Sequence, residues 1–228
     1  MVSCLAHCIN FYEGFGMNAG TKEIFDKLKY EVTRCHYYWI IYRQLLGTNE
    51  SRIELINKTT PSFFILSQDL FLDYITLQIS RLTDPVDYGK FKNFSFYYLF
   101  ELLKVEIPDD FIKKLSSILE KLQANSSLFR NRRNKFVAHR DLDSINNKSE
   151  YGIARQNVED VLKIIREYLN EIDFHFFNTT TPYEEFITDL KDDGTALLVR
   201  LAKSLAYDDL VQQKKIERRL WENFSKIN

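Results

Sequence analysis

The segment from Phe63 to Leu82 constrains the fold more than any other part of the chain. Drawn as a helix, it is apolar around nearly its whole circumference rather than along one stripe. A helix of this kind has to be covered on all sides, either at the centre of a bundle or between two subunits. No stretch of the sequence reaches the roughly 18 uncharged residues that a membrane-spanning helix requires. We therefore expect a helical bundle built around this segment, and no membrane partner.

The composition favours helices over a β fold. Of the 228 residues, 45% are hydrophobic and 14% are aromatic, so the chain can bury a core of its own. Only 7 glycines and 4 prolines are available for turns, and a β-sandwich or barrel needs many turn residues. We predict an all-α fold: an antiparallel helical bundle with additional C-terminal helices.

Capping residues and hydrophobic periodicity predict the helix boundaries. A seam of apolar residues with a helical period follows Thr21, interpreted as an N-cap, and ends at Gly47. A helix from Pro61 is closed by Pro85. The predicted starts of the later helices are Ser95, Pro108, Asn157, Thr181 and Thr195, the last helix reaching Leu205. We expect residues 1–20 to be a loosely attached lead, residues 21–205 one domain, and residues 206–228 a charged helix packed on it.

Net charge and cysteine usage restrict the partners and the location. With a net charge of −1 and a pI near 6.4, the protein has no overall basic surface for nucleic acid. Any contact with RNA must come from a local cluster of cations. An odd number of cysteines, three, without a signal-peptide pattern, predicts a reduced cytoplasmic protein.

A zinc site can be assembled on paper from the first part of the chain. Its ligands would be Cys4, His7 and Cys8, with Cys35 and His36 downstream. The spacing matches no well-defined zinc finger, and cysteines on helices are more commonly small apolar residues. We therefore predict no metal site and no cofactor.

The candidate chemistry lies in one run, Arg130-Asn131-Arg132-Arg133-Asn134-Lys135-Phe136-Val137-Ala138-His139-Arg140-Asp141. Imidazole can accept and release a proton near neutral pH, and arginine presents a permanent planar cation that matches phosphate oxygens. In an ideal helix His139 lies about 20° from Arg132 but about 120° from Arg133, so geometry alone favours Arg132. A solvated helix end, with its cations stabilised by the helix dipole, would explain the same residues without chemistry.

The pair Arg133-Asn134, with four residues between it and His139, resembles the arginine–histidine signature of the HEPN superfamily. Two earlier blocks occur in the same order: Trp39 with Tyr42–Leu45, and the segment Pro61–Pro85. Together they resemble the AbiU-type HEPN-like domain of bacterial abortive-infection proteins over roughly residues 22–200. The resemblance favours Arg133 over Arg132 as the functional arginine. The two can be reconciled if the helix loosens before His139, or if Arg132 takes the place of Arg133.

The resemblance implies a dimeric, all-α HEPN-like bundle and a metal-independent endoribonuclease of a defence system, of the abortive-infection or toxin–antitoxin type. His139 would be the general acid or base, and Arg133 would stabilise the phosphorane formed by 2′-hydroxyl attack. Asn134 would orient the phosphate or His139. Two copies of the motif would meet across a two-fold axis. The residues expected to bind the substrate RNA are Arg130, Arg132, Lys135 and Arg140.

Other interpretations use the same residues. A non-catalytic HEPN module would bind RNA, a nucleotide or a partner protein through the same basic cleft. A purely structural helical dimer would explain the aromatic helices but not the co-occurrence of Arg133-Asn134 and His139. A toxin of this type would be restrained by an antitoxin or another regulatory partner. Arg81 and Asp84 are predicted to pair as a brace at the end of their helix, and support of the motif helix is the alternative.

Overall fold

The computed structural model describes residues 16–47, 49–138, 152–185 and 193–216. Seven α-helices lie in these ranges: α1 Ala19–Leu46, α2 Glu50–Thr59, α3 Pro61–Leu82, α4 Phe96–Leu103, α5 Asp109–Arg132, α6 Arg155–Phe177 and α7 Gly194–Gln212. The predicted all-α fold is confirmed. None of these helices combines the length and the hydropathy needed to cross a bilayer.

A small hairpin lies between α3 and α4. Its two-residue strands, β1 Asp87–Tyr88 and β2 Phe91–Lys92, pair in the antiparallel sense. Gly89 in the turn has φ +60°, in the left-handed region that glycine adopts without strain. The hairpin begins shortly after α3 ends and therefore follows directly on the Thr83–Pro85 segment.

The chain divides into two units by its internal contacts. The first contains residues 1–37 and 72–185, and the second contains residues 38–71 and 186–228. In the first unit α5 packs along α6, and α4 also contacts α5. The buried residues of α5 recur every three or four positions, as expected for a helix with one covered face. They are Phe111, Leu115, Ile118, Leu119, Leu122, Ser126 and Phe129.

The second unit has a smaller core, made of Leu45, Ile56, Phe64 and Leu198. Helix α7 begins at Gly194, one residue before the predicted start at Thr195, since Asp193 caps the helix by accepting from the Ala196 N–H at 2.8 Å. Gly194 permits a close approach there, because an added Cβ would lie 3.0 Å from Gln44 Cβ and from Leu45 Cγ. The Gly194 N–H donates to Gln44 Oε1 at 3.0 Å.

Several predicted helix boundaries were wrong. Helix α1 begins at Ala19 because Asn18, not Thr21, takes the capping position and accepts from the Gly20 N–H at 2.9 Å. Helix α6 begins at Arg155, and Asn157 accepts from the Ala154 N–H at 3.0 Å from inside the helix.

Two boundaries near the C-terminus also differ from the prediction. Residues 181–185 contain a turn and no helix start, and residues 186–192 lie outside the described part of the chain. Helix α7 continues past Leu205 to Gln212. The lead up to residue 15 and the tail from residue 217 lie outside the described ranges, so the predicted domain limits stay predictions.

Helix α3 is covered on most sides along its second half, whereas in its first half Phe64 is buried and most other side chains are exposed. Ile75 and Ile79 are buried, whereas Phe63, Leu66 and Leu70 are 61%, 65% and 71% exposed. The prediction of burial on every side is therefore wrong for a single chain. The three exposed residues are spaced by three and four positions, so they form one apolar stripe on the helix. The first half of α3 thus carries an uncovered apolar surface, here called the α3 stripe.

Candidate functional site

Arg133 lies where the buried stripe of α5 would continue. Leu122, Ser126 and Phe129 are fully buried, and the next position at helical spacing is 133. A cation that follows an apolar stripe toward the core needs a carboxylate if it is to stay partly buried. Asp84, just beyond α3, provides it: both carboxylate oxygens accept from Arg133 Nη1 at 2.8 Å.

The helix loosens at the motif. A loosened helix is one of the two arrangements that would reconcile helical geometry with the resemblance. Residues Arg133–Val137 form a π-helical turn, and the Ala138 N–H donates to the Arg133 carbonyl five residues back at 2.8 Å. Such a turn inserts one residue and shifts the later side chains by about 100° from the α-helical register. The comparison that favoured Arg132 assumed a regular helix up to residue 139, so it no longer applies.

The guanidinium of Arg133 is held at two of its three nitrogens. Nε donates to the Asn134 side-chain oxygen at 3.0 Å, and Nη1 donates to Asp84. Within the described part of the chain, no hydrogen bond uses Nη2. The side chains of Arg133 and Asp84 are 20% and 19% exposed. The cation is therefore oriented and partly shielded, while one nitrogen with two N–H donors is available to an anion.

Arg130 contacts the same end of α3. Its Nη2 donates to the Thr83 carbonyl at 2.6 Å, and its Nε lies 3.8 Å from an Asp84 oxygen, too far for a hydrogen bond. Thr83 is buried, and its hydroxyl donates to the Ile79 carbonyl at 2.7 Å. Arg130 and Arg133 thus share one carboxylate, which leaves a net positive charge at this end of the site.

Arg132 pairs with a different acid. Its Nη2 donates to Asp73 Oδ1 at 2.8 Å, and its side chain is 11% exposed. The guanidinium also lies over the Phe136 ring, 4.7 Å from the centroid. A cation over an aromatic face is stabilised by about 0.5–2 kcal/mol, depending on its desolvation. Arg132 therefore has a packing role in fastening the motif to α3, and its charge is matched by its own carboxylate.

Tyr97 of α4 lies in the same electrostatic environment. Its hydroxyl donates to the Leu119 carbonyl at 3.3 Å. Burial raises the pKa of Tyr97, and the positive charge of Arg130 opposes that rise. The phenol therefore stays protonated near neutral pH and serves as a hydrogen-bond donor to α5.

The structure brings the predicted arginines 130, 132 and 133 against α3, and it places Asn134 and Lys135 on the exposed side of the π turn. His139 and Arg140 lie outside the described residues, so the pairing of Arg133 with His139 stays a prediction. The predicted Arg81–Asp84 brace is wrong, because the Asp84 carboxylate binds Arg133 and Arg81 is exposed. Support of the motif helix, the alternative role of Asp84, is confirmed.

Sequence reasoning missed Asp73 and gave Asp84 the wrong partner. One signal was available: extending the α5 stripe by four residues beyond Phe129 puts Arg133 on the covered face. A cation on that face predicts a carboxylate from a neighbouring helix end. The partner of Arg132 had no comparable signal, because Asp73 lies in the middle of α3.

The two described histidines, His36 and His175, are poor candidates for acid–base chemistry near neutral pH. Burial, reinforced by the charge of Arg166, lowers the pKa of His36 to about 3. Burial also lowers the pKa of His175, which stacks on Phe111 with ring centroids 4.1 Å apart. The sequence candidate for proton transfer, His139, lies outside the described residues.

The described residues contain no group of three or more His, Cys, Asp or Glu placed to hold a metal ion. Cys35 is buried, and burial raises the pKa of its thiol to about 12, so the thiolate needed for metal binding is disfavoured. Three of the zinc ligands considered from the sequence lie outside the described residues: Cys4, His7 and Cys8.

Comparison with curated proteins and with solved structures gives no match to this chain. A protein-family model, HEPN_AbiU2, described as AbiU2, matches residues 19–197. The matched range runs from the start of α1 into α7 and includes the arginine cluster with both of its carboxylates. The chain therefore belongs to the HEPN_AbiU2 family, and this membership indicates a defence-related module of the ribonuclease or RNA-binding type.

Proposed function

We propose that this protein is a metal-independent endoribonuclease of a bacterial abortive-infection or toxin–antitoxin system. The proposal rests mainly on the hydrogen bonding of Arg133. Asp84 and Asn134 orient its guanidinium, and no hydrogen bond within the described residues uses Nη2. Arg133 stands in a π turn that ends just before His139. Single π turns inside helices occur frequently at functional sites. Membership of the HEPN_AbiU2 family supports the same function.

RNA cleavage without a metal requires three events. The 2′-hydroxyl loses a proton as its oxygen attacks phosphorus, the phosphorane is stabilised, and the leaving 5′-oxygen gains a proton. The products are a 2′,3′-cyclic phosphate and a 5′-hydroxyl. His139 is assigned the proton transfers, typically worth about 10²–10⁴-fold in rate. Arg133 Nη2 donates to a non-bridging phosphate oxygen, where charge develops in the transition state.

Both proton transfers are served more easily by two imidazoles than by one. Each chain supplies a single motif histidine, so the active form is proposed to be a homodimer in which two motifs share one cleft. The α3 stripe of Phe63, Leu66 and Leu70 is an exposed apolar surface that such an association would cover. Because the proposed target is cellular RNA, the protein is proposed to act in the cytoplasm. A restraining antitoxin or other regulator is part of the same proposal.

The decisive experiment incubates purified protein with total cellular RNA in EDTA. Wild type, His139→Ala and Arg133→Ala are compared with Arg155→Ala, which removes an exposed arginine at the start of α6, 3.8 Å from Glu159 and not part of the motif. Wild type and Arg155→Ala should cleave, leaving 2′,3′-cyclic phosphate ends, and the other two should not. RNA binding by the wild type without cleavage would instead establish the non-catalytic module. The exposed cations of the motif would bind RNA in that case as well.

A further inference from the structure

We propose that Asp84 is a positioning residue that sets the direction in which Arg133 presents Nη2, an inference that rests on the proposed ribonuclease function. Asp84 does not touch the reacting phosphate in this scheme. It acts through the guanidinium, which its two oxygens grip at one nitrogen at equal distances of 2.8 Å. Its charge works against RNA binding, while its position assists cleavage.

The hydrogen bonds to Asp84 determine the orientation of the Arg133 side chain because the guanidinium is planar. Asp84 fixes Nη1 and Asn134 fixes Nε, and two fixed nitrogens of a rigid plane define where the third one points. An arginine side chain otherwise has about 2 kcal/mol of rotamer entropy to lose when it binds phosphate. Ordering it beforehand removes that cost from the transition state, which is the effect of preorganised electrostatic groups.

Asp84 is itself held by the backbone around it. Its N–H donates to the Arg81 carbonyl at 3.3 Å, and the following Pro85 restricts its backbone conformation. The Pro85 carbonyl accepts from Asn93 Nδ2 at 2.7 Å, and the Thr83 carbonyl accepts from Arg130. A carboxylate anchored on both sides in this way can fix the position of Arg133 rather than follow it.

The carboxylate also has an opposite electrostatic effect. It offsets one of the two charges of Arg130 and Arg133, so it weakens the attraction of this surface for a phosphate. Removal of its charge should therefore strengthen RNA binding, whereas loss of its grip should slow cleavage. Opposite changes in affinity and rate are the signature of positioning. A purely structural role would lower both, and an inhibitory role would raise both.

Three variants separate charge from position. Asp84→Asn removes the charge, Asp84→Glu keeps the charge but displaces the carboxylate by one methylene, and Asp87→Asn removes an exposed carboxylate paired with Lys92. Single-turnover cleavage at saturating RNA and RNA affinity at several salt concentrations are measured for each. We expect Asp84→Asn to cleave about 10–100-fold more slowly, the range for a misplaced catalytic group, and to bind RNA as tightly as wild type or more tightly.

Asp84→Glu should also cleave more slowly while its affinity stays unchanged, and Asp87→Asn should match wild type in cleavage. Full activity of Asp84→Glu, or parallel changes of rate and affinity in Asp84→Asn, would overturn the proposal. Melting temperatures of all variants show whether a lost activity reflects a lost fold. If Asp84→Asn does not fold, the Glu variant alone still decides between charge and position.

A spectroscopic measurement separates this inference from the proposed function. In ¹⁵N-labelled protein, the Nε–H of Arg133 should give a resolved, slowly exchanging NMR signal because two partners hold the guanidinium. Asp84→Asn should broaden or lose that signal, and Asp87→Asn should retain it. Failure of the wild type to cleave RNA would refute the ribonuclease, while this signal would still show whether Asp84 positions Arg133. An unchanged signal in Asp84→Asn would overturn the positioning role.

Discussion

His36 should make the folded protein sensitive to mild acid. Its side chain is 2% exposed, it stacks on Tyr183 with ring centroids 5.8 Å apart, and its Nε2 has no hydrogen-bond partner among the residues that the structure describes. Burial and the charge of Arg166 lower its pKa from 6.5 to about 3. The unfolded chain therefore binds a proton at a higher pH than the folded chain does. Stability is fully present above about pH 7 and is lost progressively as the pH falls from about 6.5 toward 3.

The size of the effect follows from the two pKa values. Each unit of difference is worth about 1.4 kcal/mol once the unfolded chain is protonated. Between about pH 7.5 and pH 5, before most carboxylates titrate, His36 should cost about 2 kcal/mol of unfolding free energy. His36→Phe keeps an aromatic ring against Tyr183 and removes the titration. Urea unfolding of both proteins at the two pH values measures the difference.

The expected result is a loss of stability on acidification that is smaller in His36→Phe than in wild type by about 2 kcal/mol. The comparison cancels the other titrating groups, including His175, since both proteins contain them. Equal losses in the two proteins would mean that His36 is hydrated or hydrogen-bonded when folded. The argument from burial would then be wrong.

Three further predictions concern the site, the α3 stripe and the second unit. Arg133→Ala should slow RNA cleavage by about 10²–10³-fold, whereas Arg132→Ala should mainly lower salt-sensitive affinity and stability, as cleavage assays and urea unfolding can show. Leu66→Glu should convert a dimer to a monomer in sedimentation experiments without lowering thermal stability, because Leu66 is 65% exposed. Gly194→Ala should destabilise the protein by about 1–3 kcal/mol in urea unfolding through overpacking against Gln44 and Leu45.

Each of these has a clear contrary result. An inactive Arg132→Ala beside an active Arg133→Ala would show that the ideal-helix argument identified the correct arginine. If the wild type sediments as a monomer at micromolar concentration, the result argues against a site shared by two subunits. The matched control for Leu66→Glu is Gln68→Glu, on the opposite side of α3. A more stable Gly194→Ala would mean that the better helix propensity of alanine outweighs the close contact at Gln44.

Local sequence signals predicted most of the helices because the residues that start and stop them act over one turn. Ser95 caps α4 as expected, with its side chain accepting from the Tyr98 N–H, and α3 begins at Pro61. The start of α1 failed for a long-range reason. Glu106 binds both the Asn18 N–H and the Thr21 hydroxyl, so a contact across more than eighty residues decides between the two caps.

The sequence identified the arginines of the candidate site but not the carboxylates that pair with them. Arg133 was favoured over Arg132 by the resemblance, not by any geometry that the sequence contains. The partners Asp73 and Asp84 depend on how α5 lies against α3, and local periodicity does not determine that packing. The exposure of the α3 stripe was missed because an all-round apolar pattern does not say whether the cover comes from the same chain.

The π turn removes the assumption on which the geometric argument for Arg132 rested, a regular helix up to residue 139. A regular helix would have continued the α5 stripe past Arg133 and carried the next turn in the same register. The i→i+5 bond from Ala138 to Arg133 inserts one residue at the point where the stripe changes from apolar to charged. Arg133, where the π turn begins, keeps the inward direction of the stripe and reaches Asp84. A basic helix end that only needed solvated cations would gain nothing from this insertion, which sacrifices regular helical bonding, and single π turns of this kind occur frequently at functional sites.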